Sequence, residues 1–387
     1  LDATAGPMHP AALATLTAAW EQGWADPRRL YREGRQARRL LDQSRAVLAE
    51  GLGVRPEELS FSPGGPGALR EGLAGLCEAG RRRGARVVAC AVEHSALLTT
   101  GRYAAAHAGD PARFAEVPVD RLGHVELDAW AEALAAEGSV EGHVGPVSGH
   151  REGTVAAALQ SANGEVGTRQ PLAAAHEVCR RHGIPLLVDA TAGLGREATP
   201  ESFDVLAGDA RSWGGPAGVG VLVVPARTRW RPPGPPSELE GGRTHVEPVV
   251  PLVLAAAEAW RQLAVEAEQE AAAARALVEQ IRRAAARVPE VEVVGDPVDR
   301  LPHVVTFSCL LADGEALVSE FDRRGFAVAS GSACTASTLE PSHVLAAMGE
   351  RLHKRQSPYR AVFGALTALA GAEADADALA SLMQEPD

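Results

Sequence analysis

Between about residues 35 and 225, short apolar segments alternate with longer segments of helical periodicity. ARVVACAVEH, IPLLVDATAG and VGVLVVPA are almost entirely apolar along their first residues, whereas LREGLAGLCEAGRRRG and LAAAHEVCRRHG repeat apolar residues at helical spacing. A strand that is apolar on both faces has to be covered on both faces, and strands separated by helices usually pair in parallel. The pattern therefore predicts an α/β fold with a mostly parallel, doubly covered sheet.

The segment Arg227–Arg243 is rich in proline and glycine, which predicts a domain boundary or an exposed excursion. A long helical stretch follows, and then three short apolar segments, the last of which is GFAVASG. These segments predict strands of a smaller α+β unit. We therefore expect a large domain over residues 15–240 and a small domain formed by residues 1–14 and 241–387.

The chain carries 50 acidic and 38 basic residues, for a net charge of −12. Nucleic acids and anionic membranes are bound through basic surfaces, so we expect neither as a partner. The apolar runs are too short to span a bilayer, and the first residues lack a signal-peptide pattern. The five cysteines form no CxxC pair. This spacing is typical of a reducing compartment, so we expect a cytoplasmic protein with no metal.

Six segments spread over nearly the whole chain resemble motifs of the cysteine desulfurases. These belong to the class V aminotransferase group, pyridoxal-phosphate (PLP) enzymes of fold type I. The segments, in chain order, are LDATAGPMHPAAL, VEHSALL, SANGEVGTRQPL, LLVDATAGLG, WGGPAGVG and ASGSACTAST. The resemblance implies a PLP-type large domain and the conversion of L-cysteine to L-alanine, with the sulfur left as a persulfide on a loop cysteine. It also implies a homodimer, or a heterodimer with an active paralogue, and a sulfur-acceptor protein as a further partner.

The resemblance assigns roles to four side chains. His94 matches the histidine that stacks on the PLP ring and moves protons, and Asp189 matches the carboxylate that pairs with the ring nitrogen. Cys334 matches the cysteine that takes the sulfur, and Arg360 is the nearest match to the arginine that binds the substrate carboxylate. Structural alternatives remain open: a local hydrogen bond for His94, a helix cap or structural hydrogen bond for Asp189, and an inert thiol for Cys334.

The glycine-rich loop departs from the family at its most reactive position. The family has Ser-x-His-Lys before the glycines, and this chain has Asp209, Ala210, Arg211 and Ser212. A serine cannot form the Schiff base that the lysine forms with PLP, and its hydroxyl is a far weaker base than an amine. Lys354 is the single lysine of the chain, and the polar residues around it predict an exposed side chain.

Further departures fall in the same expected pocket. Pro66 replaces the threonine that binds the PLP phosphate, and it has neither a hydroxyl nor an N–H. Asp209 replaces a serine of the phosphate site with a negative charge that Arg211 could offset. Gly164 and Ala192 replace an asparagine and a glutamine that contact the ring. Together these losses predict that no cofactor is bound and that PLP chemistry has been given up.

Four functions are consistent with these residues. The leading one is a PLP-free pseudoenzyme that acts as a partner or scaffold in sulfur metabolism or biosynthesis. The second is a PLP-independent sulfurtransferase that carries a persulfide on Cys334. The third is a repurposed small-molecule enzyme whose vacated pocket binds a small acid through Arg211, Asp209, His94 and Asp189. The fourth is an active cysteine desulfurase.

Overall fold

The structure is a computed structural model that describes residues 7–23, 25–136, 153–235, 237–309, 314–329 and 342–349, and the backbone of 361–362. Its helices are α1 (Pro10–Glu21), α2 (Arg32–Gly51), α3 (Gly64–Gly80), α4 (Ser95–His107), α5 (Leu127–Ala135), α6 (Leu172–His182), α7 (Val250–Ala285), α8 (Gly314–Arg323) and α9 (His343–Ala347). Its strands are β1 (Leu59–Pro63), β2 (Arg86–Cys90), β3 (Phe114–Val117), β4 (Thr154–Gln160), β5 (Leu186–Asp189), β6 (Val205–Asp209), β7 (Val219–Val223), β8 (Val291–Val294), β9 (Thr306–Cys309) and β10 (Ala361–Val362).

The main sheet has seven strands in the order β1-β7-β6-β5-β4-β2-β3. The five strands from β6 to β3 pair in parallel, whereas β7 runs antiparallel to both of its neighbours, β1 and β6. The predicted α/β fold with a mostly parallel sheet is confirmed. The antiparallel strand is the difference. Only the Gly-rich turn separates β6 from β7, which is too short for the crossover that a parallel pair needs.

Helices cover both faces of this sheet, as the apolar strands predict. Along β5, Leu187 packs into a cluster with residues of α3 and α4, while Leu186 and Val188 pack into a second cluster with residues of α2, α5, α6 and α7. Alternate side chains of a strand point to opposite faces, so each strand contributes to both clusters. The sheet edge that carries the carboxyl ends of the parallel strands is therefore held rigidly from both sides.

The 36-residue helix α7 packs against both sheets. Its first half packs on the main core through Val253 and Leu263, and its second half packs through Val278 and Ile281 on the three-stranded sheet β10-β9-β8. Because one helix serves both cores, the limits 15–240 and 241–387 stay a prediction.

The prediction of a strand in GFAVASG is wrong for the described part, residues 325–329, which form no strand. The apolar character there reflects packing, because Phe326 is buried edge-to-face against Phe321. The third strand of the small sheet is instead β10, which pairs with β9.

The Pro/Gly-rich segment after β7 is not an exposed excursion throughout. The ring of Trp230 packs against Gly75 of α3, where a Cβ would overlap it. Glu240 accepts hydrogen bonds from the Phe61 N–H (2.8 Å) and from the Arg45 guanidinium (2.8 Å). Contacts of Trp230 with α3 and of Glu240 with β1 therefore hold this segment against the main sheet and its covering helix.

None of the helices in the described ranges is long and apolar enough to cross a membrane.

Replacing Gly220 by alanine is expected to destabilise the fold and disturb the start of α3. Gly220 lies opposite both Ser62 and Asp209 in the sheet, and a Cβ there would overlap the carbonyl oxygen of Gly64. The backbone cannot yield without moving the first turn of α3, so we expect a loss of about 2–3 kcal/mol in the free energy of unfolding, measured in urea. Gly164→Ala is the matched control. A Cβ at Gly164 would meet only the Ala192 Cβ, at 3.6 Å, so a change beyond about 0.5 kcal/mol there would contradict this reasoning.

Candidate functional site

Polar residues collect where the parallel strands of the main sheet end. Glu93 and His94 follow β2, Asn163 follows β4, and Asp189 and Asp209 are the last residues of β5 and β6. Ligands of open α/β sheets bind at this edge because it is lined by loops and helix N-termini. The structure therefore brings the predicted residues His94, Asp189, Asp209, Arg211 and Ser212 to one edge.

His94 lies at the N-cap of α4, half-buried. Its Nδ1 accepts a hydrogen bond from the Ala96 N–H at 3.0 Å. An accepting Nδ1 places the proton of the neutral ring on Nε2, which leaves that nitrogen as the donor. The local hydrogen bond that the sequence left open is present, and it fixes the tautomer without excluding a role toward a ligand.

Asp189 is buried, and its Oδ1 accepts the Thr191 N–H at 2.8 Å. It pairs with Gln160 of β4 and Ala207 of β6 in the sheet register. The structural hydrogen bond considered from the sequence is therefore present. The assignment of Asp189 to a ring nitrogen stays a prediction. The one main-chain hydrogen bond that holds the carboxylate in place is compatible with this role.

The carboxylate of Asp209 lies at the start of α3. Its Oδ2 accepts the Gly65 N–H at 2.7 Å, and its Oδ1 accepts the main-chain N–H and the Nε of Arg211, each at 3.0 Å. A helix N-terminus attracts anions because its first N–H groups lack partners within the helix. The chain thus supplies its own anion at this terminus, and the 44% exposed side chain of Arg211 neutralises it.

Ser212 is 9% exposed, at the position of the family lysine. Its Oγ lies 2.8 Å from the carbonyl oxygens of both Leu194 and Asp209. The next residue, Trp213, is buried, donates from Nε1 to the Ala256 oxygen at 3.0 Å, and anchors the loop on α7. The hydroxyl proton of Ser212 is therefore held between two carbonyls in a fixed loop.

Gly164 and Ala192, the positions predicted to have replaced ring-contacting amides, are neighbours in space, because the Cβ position of Gly164 is 3.6 Å from the Ala192 Cβ. Asn163 holds the loop between them and the sheet. Its Oδ1 accepts the Glu165 N–H at 2.8 Å, and its Nδ2 donates to the Val92 oxygen at 3.1 Å. Small residues thus line this loop, and the hydrogen bonds of Asn163 hold its backbone in place.

Sequence reasoning missed three residues around this edge. Glu93 is fully buried, and its burial, followed by the charge of Asp189, raises its pKa well above the usual range. Burial raises the pKa of Glu165 to about 7, against a lowering hydrogen bond from Ser342. The Nε2 of His343 lies 3.0 Å from the Glu93 main-chain oxygen. An acid directly after an apolar strand was the only signal for Glu93, and the sequence did not reveal its burial.

Cys334, Lys354 and Arg360 lie outside the described residues, so their roles stay predictions. The four described cysteines are Cys77, Cys90, Cys179 and Cys309. Burial raises the pKa of each thiol, to about 12 for Cys77 and Cys179 and about 11 for Cys309. A thiol attacks sulfur only as the thiolate, so the described part of the chain offers no reactive cysteine at neutral pH.

Comparison with known proteins places these features in a family context. The model "Aminotransferase class-V" matches residues 1–368. The chain is 30% identical to "IscS-like cysteine desulfurase" of Mycobacterium tuberculosis over 96% of this chain and 91% of the relative. It is 25% identical to "Cysteine desulfurase IscS" of Dictyoglomus turgidum over 90% of this chain and 84% of the relative. The fold matches the NifS-like protein from Rickettsia africae with a TM-score of 0.81, at 18% identity over 100% and 99% of the two chains.

These similarities correct one expectation. The sequence led us to expect no cofactor, and the match over residues 1–368 to a PLP-dependent family contradicts it. Ser212 and Asp209 are predicted to change how the cofactor is held. They do not show that the cofactor is lost, because the two residues that are predicted to face its ring, His94 and Asp189, lie at the same edge of the sheet.

Proposed function

Because this chain belongs to the class-V aminotransferase family, as a cysteine-desulfurase-like member, we propose that it binds PLP without a covalent bond and does not complete desulfuration alone. It would act as a partner in sulfur metabolism. The observation that carries this proposal is the environment of Ser212, where a hydroxyl held between two carbonyl oxygens stands in the place of an amine.

An amine at position 212 would have two tasks that the serine cannot perform. It would bond covalently to the cofactor, and it would take and return the substrate proton. The proton of the Ser212 hydroxyl is engaged by Leu194 or Asp209, and an alcohol releases it far less readily than an ammonium group does. The described ranges contain no lysine that could replace it.

The residues present fit PLP at one end better than at the other. When bound, PLP supplies an electron sink for an amino-acid substrate. Asp189 would hold the ring nitrogen, and the Nε2 proton of His94 would face the ring or the substrate. The amide of Gly65 would hold the phosphate once the Asp209 carboxylate had left it. Arg211 balances Asp209 in the present arrangement, so the exchange would also release its guanidinium toward the phosphate.

An active cysteine desulfurase is the second candidate. It is favoured by the names of the relatives, which are aligned over most of their length, and by the retention of His94 and Asp189. In this case another group would have to supply the amine, and Lys354 is the single lysine of the chain. The two candidates make opposite predictions for turnover.

The deciding experiment incubates the purified protein with PLP and L-cysteine and measures alanine. The blank contains PLP and L-cysteine without the protein. The proposal expects PLP to be lost on dialysis, no PLP fixed to the protein by borohydride, and no alanine above the blank. Sustained alanine formation by the wild type would support the active enzyme instead. Lys354→Arg, which removes the amine that can bond to PLP and retains the charge, would then show whether Lys354 supplies it.

A dimer is part of this proposal. The chain would form a homodimer or a heterodimer with an active paralogue that carries the lysine, and a sulfur-acceptor protein would be a further partner. Light scattering on the purified chain, and mass spectrometry of proteins that remain with it through purification, would test these partners.

Replacing Asp209 by serine is expected to strengthen the binding of phosphate groups. The change frees the Gly65 N–H and removes a charge whose repulsion from a phosphate is worth about 1 kcal/mol in water and up to about 4 in a partly buried site. We expect at least about a tenfold gain in affinity for PLP and for inorganic phosphate, measured by calorimetry at one ionic strength. Asp42→Ser removes the same charge from an exposed site on α2, and an equal gain there would attribute the effect to net charge alone.

A further inference from the structure

Glu93 is the most deeply buried acid at the carboxyl edge of the sheet, with 0% exposure. Its Oε1 accepts the main-chain N–H of Gln160 at 2.7 Å, and its Oε2 has no hydrogen-bond partner among the described residues. Gln160 is the register partner of Asp189, whose own carboxylate is also buried. Two buried carboxyl groups therefore lie at the strand ends on either side of β4.

Two such groups cannot both be ionised at low cost. A buried carboxylate needs several hydrogen bonds or an opposite charge, and a neighbouring carboxylate adds repulsion. Each acid accepts one main-chain N–H, but Glu93 is more deeply buried and one of its oxygens is unpartnered. A buried oxygen without a hydrogen bond costs far less free energy in a neutral carboxylic acid than in a carboxylate. The proton therefore belongs on Glu93.

We propose that Glu93 is a positioning residue of this site, which holds the single proton of a two-carboxyl pair with Asp189 and so keeps Asp189 ionised for a cationic ring nitrogen. The benefit to a ring ligand rests on the proposed function, whereas the location of the proton does not. A second ionised acid at this depth would weaken the fold. A proton placed on Asp189 would remove the charge that a pyridinium requires.

The other titratable groups that face Glu93 in the described part of the chain do not supply a compensating charge. The thiol of Cys90, on β2, is buried, and burial followed by the charge of Glu93 raises its pKa. His343, on α9, contacts the main-chain oxygen of Glu93, and burial lowers the pKa of its ring. His94 follows Glu93 directly and turns its Nδ1 to the amide of Ala96. Among the described residues, the charge that acts on Glu93 is thus that of Asp189.

Infrared difference spectroscopy of the purified protein, titrated from acid to alkaline pH, tests where the proton lies. At neutral pH the wild type should show the carbonyl band of a protonated carboxylic acid that is absent from Glu93→Gln. The band should persist in Asp189→Asn with a lowered midpoint, because burial alone keeps Glu93 protonated. Glu165→Gln identifies the contribution of the other buried acid at this edge, whose pKa is about 7.

A band that is lost in Asp189→Asn and kept in Glu93→Gln would overturn the proposal, as would a wild type whose only neutral-pH band is lost in Glu165→Gln. A second measurement uses the loaded pocket. Glu93→Gln is a neutral isostere of the protonated acid, so PLP affinity should change less than about threefold. A larger loss would show that an ionised Glu93 is needed. Failure of the wild type to bind PLP would refute the proposed function and leave the infrared result standing.

Discussion

Replacing Ser212 by lysine is expected to create a covalent bond to PLP that the wild type does not form. The loop that carries position 212 is fixed by Trp213 and packed against α7, so the new amine would start from the rigid base from which the family lysine acts. Borohydride reduction followed by mass spectrometry should find PLP on residue 212. Alanine formation from L-cysteine should rise by about two to four orders of magnitude, the usual contribution of a positioned base.

Two variants control this experiment. Arg211→Lys places an amine one residue away on a half-exposed side chain, and it should give no adduct if position matters. Combining Ser212→Lys with Asp209→Ser also clears the Gly65 amide, and it should bind PLP more tightly than the single variant. If Ser212→Lys gave no adduct at saturating PLP, the pocket would differ from that of the family in more than the missing lysine. If the wild type already carried the adduct, the proposed function would be wrong.

As the pH rises, we expect Glu93→Gln to lose less of its free energy of unfolding than the wild type does. Burial raises the pKa of Glu93 in the folded state above its value in the unfolded chain. Between those two pKa values the folded protein holds a proton that the unfolded chain has released, so the stability present at low pH is lost as the pH rises. The slope approaches about 1.4 kcal/mol per pH unit for one proton.

Urea unfolding of both proteins from pH 5 to pH 8 measures this effect. The stability of Glu93→Gln relative to the wild type should grow with pH throughout the window below the folded-state pKa of Glu93. The same exchange at the exposed Glu50 of α2 is the control and should leave the profile unchanged. Parallel profiles for Glu93→Gln and the wild type would mean that Glu93 titrates alike in the folded and unfolded states.

The alternation of apolar strands and amphipathic helices was sufficient to predict the architecture. Strands such as β4 and β5 are buried along their whole length, and α6 is capped by Gly183, whose φ is +64°. Three strands of the main sheet, β1, β3 and β6, escaped prediction for physical reasons. β3 (FAEV) has only four residues, and its alanine and glutamate have low β-propensity. β6 (VLAGD) is short and contains glycine and aspartate, which have low β-propensity. β1 (LSFSP) ends in a proline, which argues against a strand, and it leads directly into the glycine-rich start of α3.

The candidate site divides in the same way. Its motifs were readable because a few residue types serve the chemistry, so the sequence could predict roles for His94 and Asp189 and could show a serine at position 212. The expectation that no cofactor binds was wrong because substitutions at single positions do not report how the remaining groups hold a ligand. Membership of a PLP-dependent family, seen over residues 1–368, overrides them.

Sequence alone determined the α/β class, the polar edge of the sheet and the absence of an amine at position 212, because periodicity and residue chemistry are local properties. Only the tertiary structure decided that the Asp209 carboxylate accepts a hydrogen bond from the N–H of Gly65 and that Glu93 and Asp189 are buried on either side of β4. Asp209 lies 144 residues from Gly65, and the strands that present Glu93 and Asp189 are neighbours of β4 and not of each other. Such contacts depend on strand order and burial, which arise only when distant segments pack together.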